Sequence, residues 1–322
     1  MHACIASLMF LLAAALAVPA WAWTVPATGV TTCYNNTEAI SCPTKGQAFY
    51  GQNGTYPGTS HTFATDADTA TDQVTGLVWQ RVPDGQPRSW SDAGAYCEAL
   101  ELGGQSDWRL PHQRELVTLV DYTASKPAWN AALSGTSGHY WSVTPYQGYA
   151  GPYWYVNFAY GVSEFNAGAD GRYVRCVRGQ ALAESAFVDQ GTTVDDTTTG
   201  LTWEKAGSGA AMTWLDALAY CQSRSTGGHA DWRAPNVMEL RTLVNYSLVF
   251  PAIDGTLFPD SQHTFWTGTN STALPTVAWT AEFLMGLSAN VDKTASAAYV
   301  RCVRDTGGQG FSIAPVLGLL LQ

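Results

Sequence analysis

Apolar and polar positions alternate along this chain in two registers. Near residue 90 the apolar residues Ala93, Tyr96, Cys97 and Leu100 recur at helical spacing, which predicts a helix with one buried face over "SWSDAGAYCEAL". Ser89 precedes it as an N-cap, and Asp92 places a carboxylate in the first turn, where the helix dipole favours it. A second helix is expected to start at Pro111, a residue suited to the first helical position, and to run through "ELVTLV". Before these, "QVTGLVW" is rich in β-formers and reads as the strand that opens the unit. After them, "GHYWSVT", "YWYVNFAYG" and "RYVRCVRG" read as strands separated by glycine-rich loops.

The whole pattern then returns. "DWRLPHQRELVTLVDY" at residues 107–122 comes back as "DWRAPNVMELRTLVNY" at 231–246, and "TGLVW" comes back as "TGLTW". "AYC" ending at Cys97 matches "AYC" ending at Cys221, and "YVRCVR" at Tyr173 matches "YVRCVR" at Tyr299. The offset drifts only from 124 to 126, so insertions are confined to loops. Copy one spans 63–178 and copy two 187–304, and a period of this length is that of a domain rather than a solenoid. Helices early and strands late in each copy predict an α+β fold, two helices packed on an antiparallel sheet.

The ends read differently. "CIASLMFLLAAALAV" followed by "PAWA" is expected to be a signal peptide over 1–22, too short to span a bilayer. Residues 23–62 then form an N-terminal segment and 305–322 a tail. No transmembrane segment is expected after signal removal.

Six cysteines remain outside the signal: Cys33, Cys42, Cys97, Cys176, Cys221 and Cys302. If each copy folds alone, Cys97 pairs with Cys176 and Cys221 with Cys302, leaving Cys33 and Cys42 to close a small loop. Reactive or metal-binding thiols are the alternative; no C-x-x-C and no neighbouring histidine makes a ligand set for them. An oxidising compartment, hence a secreted, periplasmic or cell-surface location, goes with the first reading.

A charged content of only 13% beside 12% aromatics excludes disorder and describes a packed, lightly charged protein. A net charge of -10 without any Lys/Arg cluster argues against nucleic acid as a partner. No metal or cofactor is expected, although "DADTATD" at Asp66 to Asp72 leaves calcium open. The repeated carboxylates Asp107, Glu115, Asp231 and Glu239 are the ones tied to a motif and invite an acid/base reading. Each has repeated arginines to neutralise it, Arg109 and Arg175 in copy one, Arg233 and Arg301 in copy two. Structural ion pairs are the preferred expectation, with the guanidinium groups of "YVRCVR" reaching carboxylates or backbone carbonyls, and no catalytic residue is assigned.

The ordered set "TGL[VT]W", "W-x-x-A-x-x-YC", "DWR-x-P-x-x-x-EL-x-x-LV", "[YF]W[ST]" and "YVRCVR" resembles the C-terminal domain family of collagen-like bacterial adhesins (Lcl type). That resemblance covers nearly the whole chain after the signal. It implies a secreted or surface-exposed bacterial protein, from a family whose members are mostly of unassigned activity and some of which act in attachment to glycans or host surfaces. A cysteine of the first helix joined to one of the last strand is also similar to the C-type-lectin-like fold, without the motifs of a calcium-dependent sugar site. The copies differ most in late loops, where copy one is dense in rings. Tyr146, Tyr149, Tyr153 and Tyr155 are therefore expected to line a recognition surface for a glycan or an extracellular protein. The alternative is an enzyme on a lectin-like scaffold, as in the formylglycine-generating enzymes, which needs a free thiol or a metal cluster. Oligomeric state is left open.

Overall fold

The computed structural model describes residues 22–295 and 297–306; the signal peptide expected over 1–22 lies outside the described residues except for its last position, as does nearly all of the tail. The N-terminal segment carries a two-stranded hairpin, β1 (Cys33–Tyr34) and β2 (Ala39–Ile40), closed by the Cys33–Cys42 disulfide.

Copy one opens with β3 (Phe63–Thr65), β4 (Thr69–Asp72) and β5 (Val78–Gln80), followed by α1 (Trp90–Glu98) and α2 (Gln113–Thr118). It closes with β6 (His139–Pro145), β7 (Pro152–Asn157), β8 (Val162–Ala167) and β9 (Val177–Arg178). Copy two repeats the order with β10 (Phe187–Asp189), β11 (Thr193–Asp196), β12 (Leu201–Glu204), α3 (Trp214–Gln222) and α4 (Val237–Thr242). Its last strands are β13 (Thr264–Asn270), β14 (Val277–Glu282), β15 (Ser288–Asp292) and β16 (Val303–Asp305).

Each copy is thus an α+β unit, but with two antiparallel sheets where the sequence suggested one. The four-stranded sheet is ordered β3-β4-β5-β9 and the three-stranded sheet β6-β7-β8, with β10-β11-β12-β16 and β13-β14-β15 in copy two. The reason lies in two local features. The first five residues of "QVTGLVW" are a hairpin turn and only Val78 and Trp79 belong to a strand, β5: Asp72 accepts from the Val74 amide (2.9 Å) and from Thr75 Oγ1 (2.5 Å), and Gly76 adopts φ +74°. The chain thereby returns as β5, and β9 pairs with its free edge.

The second helix also starts later than expected, at Gln113 rather than Pro111. His112 is the N-cap, and its amide donates to Glu115 Oε2 at 2.8 Å, so the repeated glutamate closes a capping box. In copy two Asn236 and Glu239 do the same, with both reciprocal bonds at 2.8 and 2.9 Å. At α1, Ser89 caps by accepting from the Asp92 amide, and Ala93 and Cys97 form the buried face. Cys97 bonds to Cys176 and Cys221 to Cys302, so each first helix is tied to the end of its own copy.

The copies do not pack as beads on a string. One core cluster joins Leu116, Val117 and Phe158 of copy one to Val237, Met238 and Trp279 of copy two. A second joins Tyr146 and Trp154 to Leu240, Phe258 and Phe283. Helix α2 meets α4, and β8 meets β15, so equivalent elements face each other across the boundary.

Candidate functional site

The repeated charged motif proves to be scaffolding in geometry. Arg109 and Glu115 form a bidentate pair at 2.7 Å on both oxygens, and Arg233 and Glu239 repeat it at the same distances. The remaining expectations need correction. Asp107 is bonded to Arg178 (2.6 Å) and Asp231 to Arg304 (2.8 Å), the second arginine of each "YVRCVR". Arg175 and Arg301, both fully buried, make no carboxylate pair among the described residues. Arg175 donates to the carbonyls of Gln80 (2.6 Å), Arg81 (3.0 Å) and Ser134 (2.6 Å). Arg301 donates likewise to Glu204 O (3.0 Å), Lys205 O and Pro259 O (3.1 Å). A guanidinium with five donors suits a place where carbonyls of two backbone segments converge on the strand that carries it.

The four tyrosines do not share a surface. Along β7 side chains alternate, so Tyr153 and Tyr155 point to one face while Trp154 and Val156 point to the other. Tyr146 follows Trp154 inward. It stacks on Phe165 with ring centroids 3.7 Å apart, and Gly148 lies so close that a Cβ there would sit 2.4 Å from the ring. Only Tyr149 is well exposed, at 61%. Tyr155 is buried and Tyr153 half-buried, so a loop surface made of all four rings does not exist.

Tyr153 and Tyr155 instead belong to a polar and aromatic face formed by α1, β6–β8 and the segment before β9. Trp90, the first residue of α1, is fixed by its indole N–H to Ser142 O (2.9 Å), and its ring lies parallel to Tyr153 at 3.6 Å. Two residues along, the Tyr155 hydroxyl donates to Glu164 Oε2 (2.6 Å) from the neighbouring β8. The Arg172 guanidinium lies over the Tyr155 ring at 4.1 Å and the Trp141 ring at 4.6 Å, a cation held between two π faces. Its Nη2 donates to Asp170 at 3.3 Å, and its Nε has no partner. His139 flanks Tyr155 at 5.1 Å. Burial, then the Glu164 hydrogen bond, push the Tyr155 phenol well above the usual tyrosine range. Burial, then the Arg172 charge, hold His139 below its ordinary value, which keeps it neutral at pH 7.

Copy two has the same backbone here and keeps the two tryptophans, Trp214 (indole N–H to Thr267 O, 2.8 Å) and Trp266, but not the arginine, tyrosine and glutamate chemistry around them. Trp141 Nε1 bonds to Arg88 O (2.9 Å) as Trp266 Nε1 bonds to Met212 O (2.8 Å). Arg88 and Arg172 exchange backbone bonds where Met212 pairs with Ala298. At the places of Arg88, Tyr153, Tyr155, Glu164 and Arg172 stand Met212, Ala278, Thr280, Ala289 and Ala298. The N-terminal segment covers that stripped face. Phe49 packs 6.2 Å from Trp214, and Lys293 lies 4.4 Å over the same ring while donating to Asn35 O at 2.8 Å. Gly268 on the edge strand admits the segment: a Cβ there would lie 3.2 Å from Gly51 O. Val143 holds that position in copy one, so the same docking is blocked and the face is left open to another partner.

Sequence reasoning missed Trp90, Glu164 and Arg172. The signal was present in a comparison of the two copies along their strands rather than their loops, where ionic residues of one copy meet alanine in the other. Of the other candidates, Asp66 spends its oxygens on its own turn, accepting from the amides of Asp68 (2.8 Å) and Thr69 (2.6 Å) and from Thr69 Oγ1 (2.8 Å). The six cysteines of the described residues are all in disulfides. The family model of the Lcl C-terminal domain matches residues 68–178 and again 192–304. No curated protein matches the chain.

Proposed function

The chain belongs to the Lcl C-terminal domain family, and on that footing we propose that it is a non-catalytic, surface-exposed bacterial binding protein of adhesin type. Its recognition face is the Trp90, Tyr153, Tyr155, Glu164 and Arg172 face of copy one, and its ligand is a glycan or an extracellular protein. One observation carries this reading. Two copies of a domain share backbone, disulfide and core, yet one keeps a buried-rim cation, a carboxylate and stacked rings where the other has alanine, threonine and methionine. Folding does not require those side chains, since copy two does without them.

The chemistry suits a polar ligand with a flat apolar side. Half-buried Trp90 and Tyr153 offer ring area at low entropic cost, and the half-buried Glu164 carboxylate, fixed by Tyr155, offers an acceptor for hydroxyl or amide groups, with the buried Arg172 behind them as support. The acidic balance of the chain speaks against a polyanion held by bulk charge. An enzyme of the formylglycine-generating type would draw on a free thiol, and the described cysteines are committed to disulfides.

The test is a screen of the mature protein against glycans and matrix proteins, followed by Tyr153→Ala and Glu164→Gln. Loss of at least about tenfold in affinity at an unchanged melting temperature supports the face. Binding unaffected by both substitutions, or abolished only by changes on copy two, removes it.

A further inference from the structure

The two copies leave their last strands at equivalent points, and the second exit opens onto a groove. In copy one the chain passes from β9 directly over the Arg109 and Glu115 pair. Arg109 Nη2 donates to Gly179 O (3.4 Å), and the Leu182 amide donates to Glu115 Oε1 (3.3 Å). Leu182 itself packs against the core cluster beneath. Under this cover the Glu115 side chain is 1% exposed.

Copy two repeats the pair, the strand and the exit. Thr306 is fastened beyond β16 to the Gly200 carbonyl through its amide (3.1 Å) and its hydroxyl (2.8 Å). The carboxylates then differ in one bond. Glu115 accepts from both Arg109 nitrogens, from the His112 amide and from the Leu182 amide, which fills its acceptor positions. Glu239 accepts from both Arg233 nitrogens and from the Asn236 amide, and among the described residues it has no counterpart of the Leu182 bond. Its side chain is 10% exposed. This pair lines a groove of about 450 Å3, together with Gly200 and Asp305 of copy two and Val25, Tyr56 and Thr59 of the N-terminal segment.

At the offset of 126 that relates the two "YVRCVR" motifs, position 308 corresponds to Leu182. We propose that the groove is the docking site of the chain's own residues 307–310, with the amide of Gly308 donating to Glu239 Oε1 as the Leu182 amide donates to Glu115. Two further observations support this occupant. The chain arrives at the groove already tethered, since Asp305 lines it and Thr306 is bonded to Gly200 beside it. A tethered segment has an effective concentration on the order of millimolar, which a free ligand would have to outcompete. The sequence at 307–310 is "GGQG". In copy one Leu182 supplies an apolar side chain at this place, whereas in copy two Val25 already packs on both core clusters, so backbone without side chains suits the space that remains. The docking joins the start of the tail to the N-terminal segment, and it is separate from the recognition face on copy one.

The experiment is amide hydrogen exchange of the full mature protein, read by mass spectrometry, with the urea-unfolded protein as reference. The amides of 307–310 are expected to exchange at least about tenfold more slowly than in the reference. Gly308→Pro removes the donor and is expected to return them to the reference rate while exchange in β6–β8 stays unchanged. Ending the chain after Thr306 is expected to speed exchange at residues 55–59, which lose a neighbour. Exchange of 307–310 at the reference rate in the unaltered protein overturns the proposal, and protection that persists in Gly308→Pro overturns Glu239 as the acceptor. A glycan or a partner's peptide that slows exchange at Tyr56 and Thr199 while 307–310 exchange freely gives the groove to that occupant, and overturns the proposal as well.

Discussion

Tyr122 of copy one meets Trp279 of copy two edge-on, with ring centroids 4.9 Å apart and planes at 82°. The relationship is reciprocal: Tyr246 meets Trp154 at 5.3 Å and 78°. Tyr122 and Tyr246 are equivalent positions, as are Trp154 and Trp279, so the duplicated unit packs on itself in the manner of a two-fold dimer. Each such pair contributes about 1 kcal/mol beyond the area it buries. Trp279→Ala leaves a cavity shared by both copies and is expected to cost about 3–5 kcal/mol. Urea unfolding followed by tryptophan fluorescence and by far-ultraviolet dichroism checks this. A single transition, shifted but still coincident by both probes, is expected; two separated transitions in the wild-type protein would show that the copies fold independently.

Arg175 makes a different kind of demand. Its guanidinium satisfies three carbonyls from residues 80, 81 and 134 and lies 4.9 Å over the Trp129 ring. Arg175→Lys keeps the charge but offers a point donor in place of a fork, leaving at least one carbonyl and one ring face unserved. A loss of about 2–3 kcal/mol is expected. Arg109→Lys, on a partly exposed pair, is expected to cost less than half as much. Paired denaturation midpoints decide this, and equal losses would mean that Arg175 is held by packing alone.

These two arginines also mark what a sequence reveals. The duplication, the cysteine pairing and the Ser89 cap were legible because they are written in side-chain identities that recur in register between the copies. The partners of Arg175 were not, because they are backbone carbonyls some 40 and 95 residues away, and a carbonyl leaves no trace in residue identity. The tyrosine surface failed for a related reason. "YWYV" alternates whichever way it faces, and the packing of copy two around Trp154 decides that Tyr146 turns inward. Arg172 is brought to Tyr155 by backbone pairings of its segment with Arg88, 84 residues away, and with β6 through Tyr173 and Tyr140.

Lys293 gives a pH signature. It is fully buried between Trp214, Tyr34 and the Asn35 carbonyl, and burial pushes its ammonium down to about 7. In the unfolded chain the same group titrates near 10.4. Between those values the unfolded state binds more protons than the folded one, so stability rises with pH across that window and is flat in this contribution below about 7. The urea midpoint is expected to climb from about pH 7 to about pH 9.5, short of ordinary tyrosine ionisation. Lys293→Met is expected to flatten the climb. An identical slope in the variant would assign the dependence to other groups.

The disulfides separate by the length of chain they close. Cys97 and Cys176 are 79 residues apart, whereas Cys33 and Cys42 are 9 apart. Chain entropy then ascribes about 4.5 kcal/mol to the first and about 2.5 kcal/mol to the second. Replacing Cys97 and Cys176 by alanine is thus expected to cost more global stability, read as the larger drop in denaturation midpoint. The Cys33 and Cys42 double variant has a local consequence instead. Its loop carries the Asn35 carbonyl that accepts from Lys293 and leads into the Phe49 contact with Trp214. Loosening it uncovers the stripped face of copy two, and hydrogen exchange at residues 30–56 is expected to accelerate while exchange in β6–β8 stays unchanged. Equal acceleration in both regions would mean that the N-terminal segment is part of the cooperative core rather than a cover laid over copy two.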